Sequence, residues 1–280
     1  MIEAQLARLA NCRTHLFVAV AVVALVFAAA ADGAQVSQGV ITPVVNLGTA
    51  GNFAVLAGST VTNTGATVVN GNVGVSTGSA VTGFPPGVVV GGSIHSNDAA
   101  AIQAQTDLTT AYNAAAGAAC TGNLTGQDLG GKTLTAGVYC FDSSAQLTGT
   151  LILDAQGNPN AQFIFKIGST LTTASASNVI VVNGGSTCNV FWQVGSSAVL
   201  GTTTSFGGNI LALASITMNT GANLSGRALA RTGAVTLDTN AVTACAAGVV
   251  AGGGIPALSG WLLLLLAAAI AAVALVMLRR

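Results

Sequence analysis

Residues 190–238 read VFWQVGSSAVLGTTTSFGGNILALASITMNTGANLSGRALARTGAVTLD. Three apolar segments stand in this stretch: Val190-Phe-Trp-Gln193, Asn209-Ile-Leu-Ala212 and Arg227-Ala-Leu-Ala230, spaced by 19 and then 18 residues. Each is followed, after a turn, by a segment with small or hydroxyl side chains: Ala198 to Thr202, Ser215 to Asn219 and Ala234 to Asp238. A step of that size suits three short strands and three tight corners, which is one coil of a β-solenoid. The same succession extends towards the N-terminus. Phe53 to Leu56, Val138 to Phe141 and Phe163 to Lys166 precede Thr60 to Thr64, Gln146 to Thr150 and Thr170 to Ala174. Short third strands, Val179 to Val182 and Ala241 to Thr243, close the sets. The earlier coils are longer and carry insertions.

One segment departs from the β-rhythm. Asp98 to Ala116 is rich in Ala and Gln, which favour helix. Asn97 or Asp98 can cap its start and Gly117 can end it. Ala101, Ile102, Leu108, Tyr112 and Ala115 fall roughly on one face, so the helix is predicted to lie along the solenoid and cover a flank.

The two ends of the chain read differently from the middle. Residues 1–34 resemble a secretory signal: Arg8, Arg13 and His15, an apolar run from Leu16 to Phe27, then the small residues Ala28 to Ala31. Leu262 to Leu278 has no polar side chain and is followed by Arg279 and Arg280, which reads as a short membrane-spanning helix with a cytoplasmic basic end. Ile255, Pro256, Ala257 and Leu258 stand just before it. This C-terminus resembles the IPTL-type relative of the PEP-CTERM sorting signals of Gram-negative bacteria, departing at Ala257, where Thr is usual. Residues 246–254 end in three glycines and read as a flexible linker. One domain, residues 35–245, is expected between the ends. The implied location is the exterior of a Gram-negative cell, secreted or held at its surface.

Cysteine usage agrees with export. Cys12 lies in the signal, which leaves Cys120, Cys140, Cys188 and Cys245 and three possible pairings. The short loop between Cys120 and Cys140 favours that pair, leaving Cys188 with Cys245. There is no C-x-x-C pair, and His95 is the single histidine of the mature domain, so neither a metal site nor a cofactor is expected.

Composition narrows the function. Only 6% of residues are charged, the net charge is zero and Gly numbers 36, against about 25% charged residues in ordinary soluble domains. Nucleic-acid binding, which needs a basic stripe, is therefore not expected. A polysaccharide-cleaving solenoid would need clustered carboxylates and bases. The few aspartates, at 98, 107, 128, 142, 154 and 238, form no acid pair in sequence, so no catalytic residue is assigned.

The ordered motifs also carry a resemblance. Leu56-Ala-Gly-Ser-Thr-Val-Thr-Asn-Thr-Gly65, Ile94-His-Ser-Asn-Asp98, Asp107-Leu-Thr-Thr-Ala-Tyr112, Leu129-Gly-Gly131, Gly137-Val-Tyr-Cys-Phe141, Phe191-Trp-Gln-Val-Gly195, Gly226-Arg227 and Gly233-Ala-Val-Thr-Leu-Asp238 are similar to the microbial ice-binding proteins with a discontinuous β-solenoid. The resemblance spans roughly residues 46–245. It implies a mainly β fold, a right-handed triangular solenoid with one long α-helix alongside, whose N-terminal strands form the coil beyond the C-terminal ones. It also implies adsorption to ice through one flat face, with the ice and water lattice as partner and a monomeric state.

On that face, strand alternation predicts an inward column of Leu147, Leu171, Val199, Ile216 and Val235. The outward columns are then Gln146, Thr170, Ala198, Ser215 and Ala234; Thr148, Thr172, Leu200, Thr217 and Thr236; and Thr150, Ala174, Thr202, Asn219 and Asp238. From these, Thr148, Thr150, Thr170, Thr172, Thr202, Ser215, Thr217, Asn219, Thr236 and Asp238 are the candidate ice-binding residues. A second class of function is a cell-surface adhesin or glycan-binding module. Aromatic platforms for sugar are scarce in the sequence, because Trp192 falls on a strand expected to be buried and Trp261 in the tail.

Overall fold

The structure, a computed structural model, describes residues 45–245. The signal, linker and sorting segments read from the sequence, including Ile255 to Leu258 and the apolar run 262–278, lie outside the described residues. Among the described residues no helix is long and apolar enough to cross a membrane.

The described strands pair in parallel throughout. They stack into three ladders around one core, here called faces A, B and C, and face C includes Thr150–Asp154, Asn178–Val182, Ala241–Thr243, Val68–Asn70 and Val88–Val90. Face A contains Phe53–Ala57, Gly137–Phe141, Phe163–Ile167 and Val190–Val194, whose residues are nearly all buried on both sides. Inward, Phe163, Phe165 and Trp192 fill the lumen; outward, Ile164, Phe191, Leu211 and Leu229 meet the helix. This explains why these segments read as continuous apolar runs: a strand covered on both faces has no reason to alternate. The inward rings stack along the coil axis, Phe165 on Trp192 at 3.9 Å between centroids. Trp192 Nε1 donates to the Gly207 carbonyl, which satisfies its one polar atom.

The coils are discontinuous. Phe53–Ala57 pairs with Asn223–Ala230, so the N-terminal coil stacks on the C-terminal one. Thr60–Thr64 likewise pairs with Val235–Asp238, and Val68–Asn70 with Ala241–Thr243. The strands Ser205–Ala212 and Asn223–Ala230 each turn a corner, contributing to face C at their start and to face A at their end. Gly208 and Gly226 stand in register at that corner with φ of 118° and 152°. A Cβ at Gly226 would run into the Gly208 backbone, so the bend requires glycine.

The helix, α1, spans Ala99–Gly117. The Asp98 side chain accepts from Ala101 N at 2.9 Å and holds the His95 ring at 2.8 Å. Its buried positions are Ala101, Ala104, Leu108, Ala111, Tyr112 and Ala115. Ile102, expected on that face, is 50% exposed and points away. The small alanines let α1 approach face A closely, and a residue one position beyond Ala101 is rotated by about 100° out of the seam.

Cys120 is bonded to Cys140, and Cys188 to Cys245. The first ties the exit of α1 to face A. The second ties the last described residue to the turn Thr187–Asn189.

Candidate functional site

Face B comprises, in spatial order, Ala145–Leu147, Leu171–Thr173, Ala198–Leu200, Ile216–Met218, Val235–Asp238, Thr60–Thr64 and Ala80–Thr82. Unlike face A it alternates. Ala145, Leu171, Ala198, Ile216, Val235 and Val61 are in register and buried, as are Leu147, Leu200, Met218 and Leu237. The polar Thr173 and Asn63 share the second of these inward columns and are bonded there. Thr173 Oγ1 meets Thr204 Oγ1 and accepts from Gly201 N, while Asn63 Nδ2 donates to the carbonyls of Gly65 and Gly83.

Between the two inward columns runs one outward column: Gln146, Thr172, Val199, Thr217, Thr236, Thr62 and Thr82. Neighbours in it lie about 4.8 Å apart, the spacing of adjacent strands. One flank carries Thr170, Ser215, Ala234 and Thr60. Its hydroxyls are oriented along the stack: Thr170 Oγ1 donates to Ser144 Oγ, Ser197 Oγ accepts from Ser215 N, and Ser215 Oγ from Ala234 N. The other flank carries Thr148, Ala174, Asn219, Asp238 and Thr64. Asp238 is the one charged residue of these columns, and its carboxylate is bound by the hydroxyls of Thr220 and Thr239. It is thereby folded into the corner rather than raised from the plane.

Of the candidate residues, the structure brings eight together. Thr172, Thr217 and Thr236 lie in the central column, Thr170 and Ser215 on one flank, and Thr148, Asn219 and Asp238 on the other. Two fall elsewhere. Thr150 begins Thr150–Asp154 on face C, paired with Asn178. Thr202 is exposed in the corner turn after Ala198–Leu200.

The expected side-chain directions also need correction at one coil. Ala198 and Leu200 are wholly buried and Val199 points out, the reverse of the sequence reading. Phe191, not Val190, is the partner of Asn209, and Asn209 is followed by Arg227 at the regular separation of 18 residues. A slip of one residue in aligning a strand inverts every side chain on it. Leu147 is inward as expected, but it shares a column with Leu200 and Met218 rather than with Leu171.

Thr60, Thr62, Thr64 and Thr82 belong to the same ladder, although they are not among the candidates named from the sequence. The alternating Thr60-Val-Thr-Asn-Thr64 was the available signal. Its value depends on the discontinuous stacking that places it beside Val235–Asp238.

The described aspartates elsewhere serve as local ties. Asp107 accepts from the Thr49 hydroxyl and backbone at 2.6 and 2.7 Å, Asp128 from Gly130 N and Thr148 N, and Asp154 from Asn183 Nδ2 and Gln156 N. The Thr49 hydroxyl draws Asp107 below the usual aspartate pKa, and the Asn183 amide does the same for Asp154. Among the described residues no group of three or more His, Cys, Asp or Glu side chains is placed to hold a metal. Clefts lined by Thr77, Gln105 and Arg231, and by Asp142, Lys166 and Gln193, both lie off face B.

A parallel three-ladder solenoid with one covered face and one bare, hydroxylated, nearly uncharged face defines the class of protein. Residues 55–243 match the profile of the family described as Ice-binding-like, and the chain belongs to that family. It is 62% identical over 198 residues, 70% of this chain and 73% of the relative, to an ice-binding protein of Nostoc sp. (strain HG1). It is also similar to the crystal structure of an ice-binding protein from the Antarctic ascomycete Antarctomyces psychrotrophicus, at 44% identity and a TM-score of 0.69, covering 72% of this chain and 98% of that one. An ice-binding protein from an Antarctic biological consortium gives 49% identity and a TM-score of 0.70, over 75% of this chain and 95% of that one.

Proposed function

We propose that this protein adsorbs to ice through face B and so limits the growth and recrystallisation of ice crystals. The observation that carries the reading is the central outward column, in which Thr172, Thr217, Thr236, Thr62 and Thr82 repeat in register. β-Branched threonines hold few rotamers, so their methyls and hydroxyls form a fixed grid. Spacing is about 4.8 Å across strands and about 6.6 Å between alternate residues along one. Water bound to such a grid is ordered before ice arrives and can merge with a growing lattice. Each contact is weak, but all act at once because the ladder is rigid. Charged groups would hold hydration shells of a different geometry, and the columns offer only the corner-bound Asp238.

The site is Thr172, Thr217, Thr236, Thr62 and Thr82, flanked by Thr170, Ser215 and Thr60 and by Thr148, Asn219 and Thr64. Its role is adsorption rather than catalysis, since the aspartates at 98, 107, 128, 154 and 238 are engaged in caps, turns and the corner. The chain works as a monomer, one face being sufficient for a surface ligand. The two disulfides fit an oxidising compartment. Together with residues 1–34 and 255–280 as read from sequence, they support export, with the tail holding the protein at the cell surface. Replacement of Thr217 by Tyr tests the site: a ring raised from the plane prevents flat contact. Loss of uptake into a slowly growing ice hemisphere, with an unchanged melting curve, is expected; full uptake by Thr217→Tyr and Thr172→Tyr alike would move the site off face B.

A further inference from the structure

Arg231 follows the strand Asn223–Ala230 at the corner that leads to face B. Its guanidinium carbon lies 4.7 Å from the centroid of the Tyr112 ring, and Nε donates to Thr109 Oγ1 at 3.4 Å. The side chain is half-buried. Among the described residues, no carboxylate lies within ion-pair distance of it. The terminal nitrogens of Arg231 therefore present donors into a cleft of about 230 Å³, lined also by Gly58, Ser76, Thr77, Gln105 and Thr232.

The lining sorts by what each group already does. Thr109 and Thr232 give their hydroxyl protons to the carbonyls of Gln105 and Leu213. Ser76 Oγ donates to Asn97, and Gln105 Nε2 to the Ala230 carbonyl. The Arg231 fork and the Thr77 hydroxyl are left to meet a ligand, and Gly58 adds no side chain to the wall. Stacking on Tyr112 fixes the guanidinium plane before anything binds. At about 30 Å³ per water molecule the cleft holds a tetrahedral oxyanion with part of its hydration shell.

We propose that this cleft is a binding site for a small oxyanion of the phosphate or sulfate type, with Arg231 as its principal ligand and Thr77 as a second donor. A planar fork with two parallel N–H groups matches two oxygens of such an ion. Among the described residues, no acidic side chain lines the cleft to compete. The site is separate from the face B columns, so its occupancy leaves them bare.

The test is a titration of the isotope-labelled full chain with sodium phosphate, followed by amide shifts, against sodium chloride at matched ionic strength. Saturable shifts confined to Gly58, Ser76, Thr77 and Thr232 are expected with phosphate only. Arg231→Gln should weaken that affinity ~10-fold or more, the scale of a lost charge-assisted hydrogen bond, and Arg231→Lys by less. Loss of the contacts with Tyr112 and Thr109 should lower the melting temperature of Arg231→Gln slightly, while a cooperative transition and full ice uptake in both variants separate loss of the anion from loss of the fold. A parallel arm with a sugar phosphate distinguishes the sources of the ion. Saturation there as well as with inorganic phosphate means that a carried phosphate is admitted, and saturation by inorganic phosphate alone limits the site to the ion. Absent saturation by phosphate, equal shifts in chloride, or undiminished affinity in Arg231→Gln would each overturn the assignment.

Discussion

Faces B and C are made by the same coils and the same kind of short parallel strand, yet they present opposite surfaces. Face B is a ladder of single outward columns with nothing laid across it. Face C is crossed by the turn Thr187–Asn189, whose Thr187 methyl would lie 3.1 Å from a Cβ at Gly207 and whose hydroxyl reaches Ser225. Gly207 is buried as a result, and the Cys188–Cys245 bond holds the turn down. Face C also exposes bulkier apolar groups, with Ile180 at 39%, Val68 at 42% and Val88 at 52%. A solenoid supplies periodicity to all its faces, but planarity depends on where the chain puts its insertions. Here the longer connections avoid face B.

The largest expected effect is the one that opposes the two faces directly. Thr236→Tyr, in the central column with a strand on either side, should abolish ice uptake, because one ring standing above the plane lifts its neighbours out of contact on both sides. Thr243→Tyr, also exposed but on face C, should leave uptake unchanged. Equal losses in both variants would mean that the distinction between the faces is not the functional one. Both substitutions are at the surface, so stability should move by no more than about 0.5 kcal/mol.

Next comes the bond that spoils face C. Cys188–Cys245 closes a separation of 57 residues and Cys120–Cys140 one of 20. The loop-entropy relation assigns the longer closure about 4 kcal/mol and the shorter about 3 kcal/mol. Cys188→Ser with Cys245→Ser should therefore lower the melting temperature more than the Cys120, Cys140 pair does, and calorimetry of both double variants gives the order. Neither bond touches face B, so ice uptake below the melting transition should survive both changes. The opposite order of stability would show that native contacts at Cys120–Cys140 outweigh loop length.

Much of this contrast was legible in the sequence, and the remainder was hidden for definite reasons. Strands buried on both sides, such as Val190–Val194, announced face A, and the regular later coils announced the solenoid. Ala-rich α1 stood out because its period differs from a strand's. The register of Ala198–Leu200 was not legible. Val190 and Phe191 are both apolar and both buried, so either could be matched with Asn209, and the choice decides whether Val199 or Leu200 faces water. The membership of Thr62 and Thr82 in the site was hidden because their stacking partner, Val235–Asp238, is remote in sequence. The Cys188–Cys245 pairing was legible as what the short Cys120–Cys140 loop leaves over, but that the turn it holds would lie across face C was not, because the contact of Thr187 with Gly207 and Ser225 joins residues 20 and 38 positions apart.

A smaller effect follows from the acid side of the titration. Asp98 is drawn down chiefly by the Ala101 amide, and Asp107 by the Thr49 hydroxyl. A carboxylate whose folded pKa lies below its unfolded one contributes stability above the unfolded value, about 3.9, and that contribution disappears as pH falls through the lowered one. Melting temperature should stay level from pH 8 to about 5 and then decline below about 4. Both groups are exposed and tie the entry of α1 and the turn beneath it, so the decline should affect face A and its helix. Ice uptake at pH 5 should equal that at pH 7. A steep loss between those values would show that ice uptake depends on something other than these two aspartates.

The finest distinction lies within face B itself. Val199 is the apolar interruption in the central column, between Thr172 and Thr217. Valine and threonine share a β-branched shape, so Val199→Thr adds a hydroxyl without changing the height of the surface or the inward packing of Ala198 and Leu200. If the ladder works by holding water through hydroxyls as well as fitting it with methyls, this variant, whose threonine column runs unbroken from Thr172 to Thr82, should bind ice somewhat better than the parent. The gain should appear in recrystallisation inhibition at limiting protein concentration, with no shift in melting temperature beyond about 0.5 kcal/mol equivalent. Unaltered inhibition would instead indicate that shape and rigidity dominate and that methyl groups alone suffice at this position. Reduced inhibition would show that Val199 is a working part of the surface rather than a gap in it.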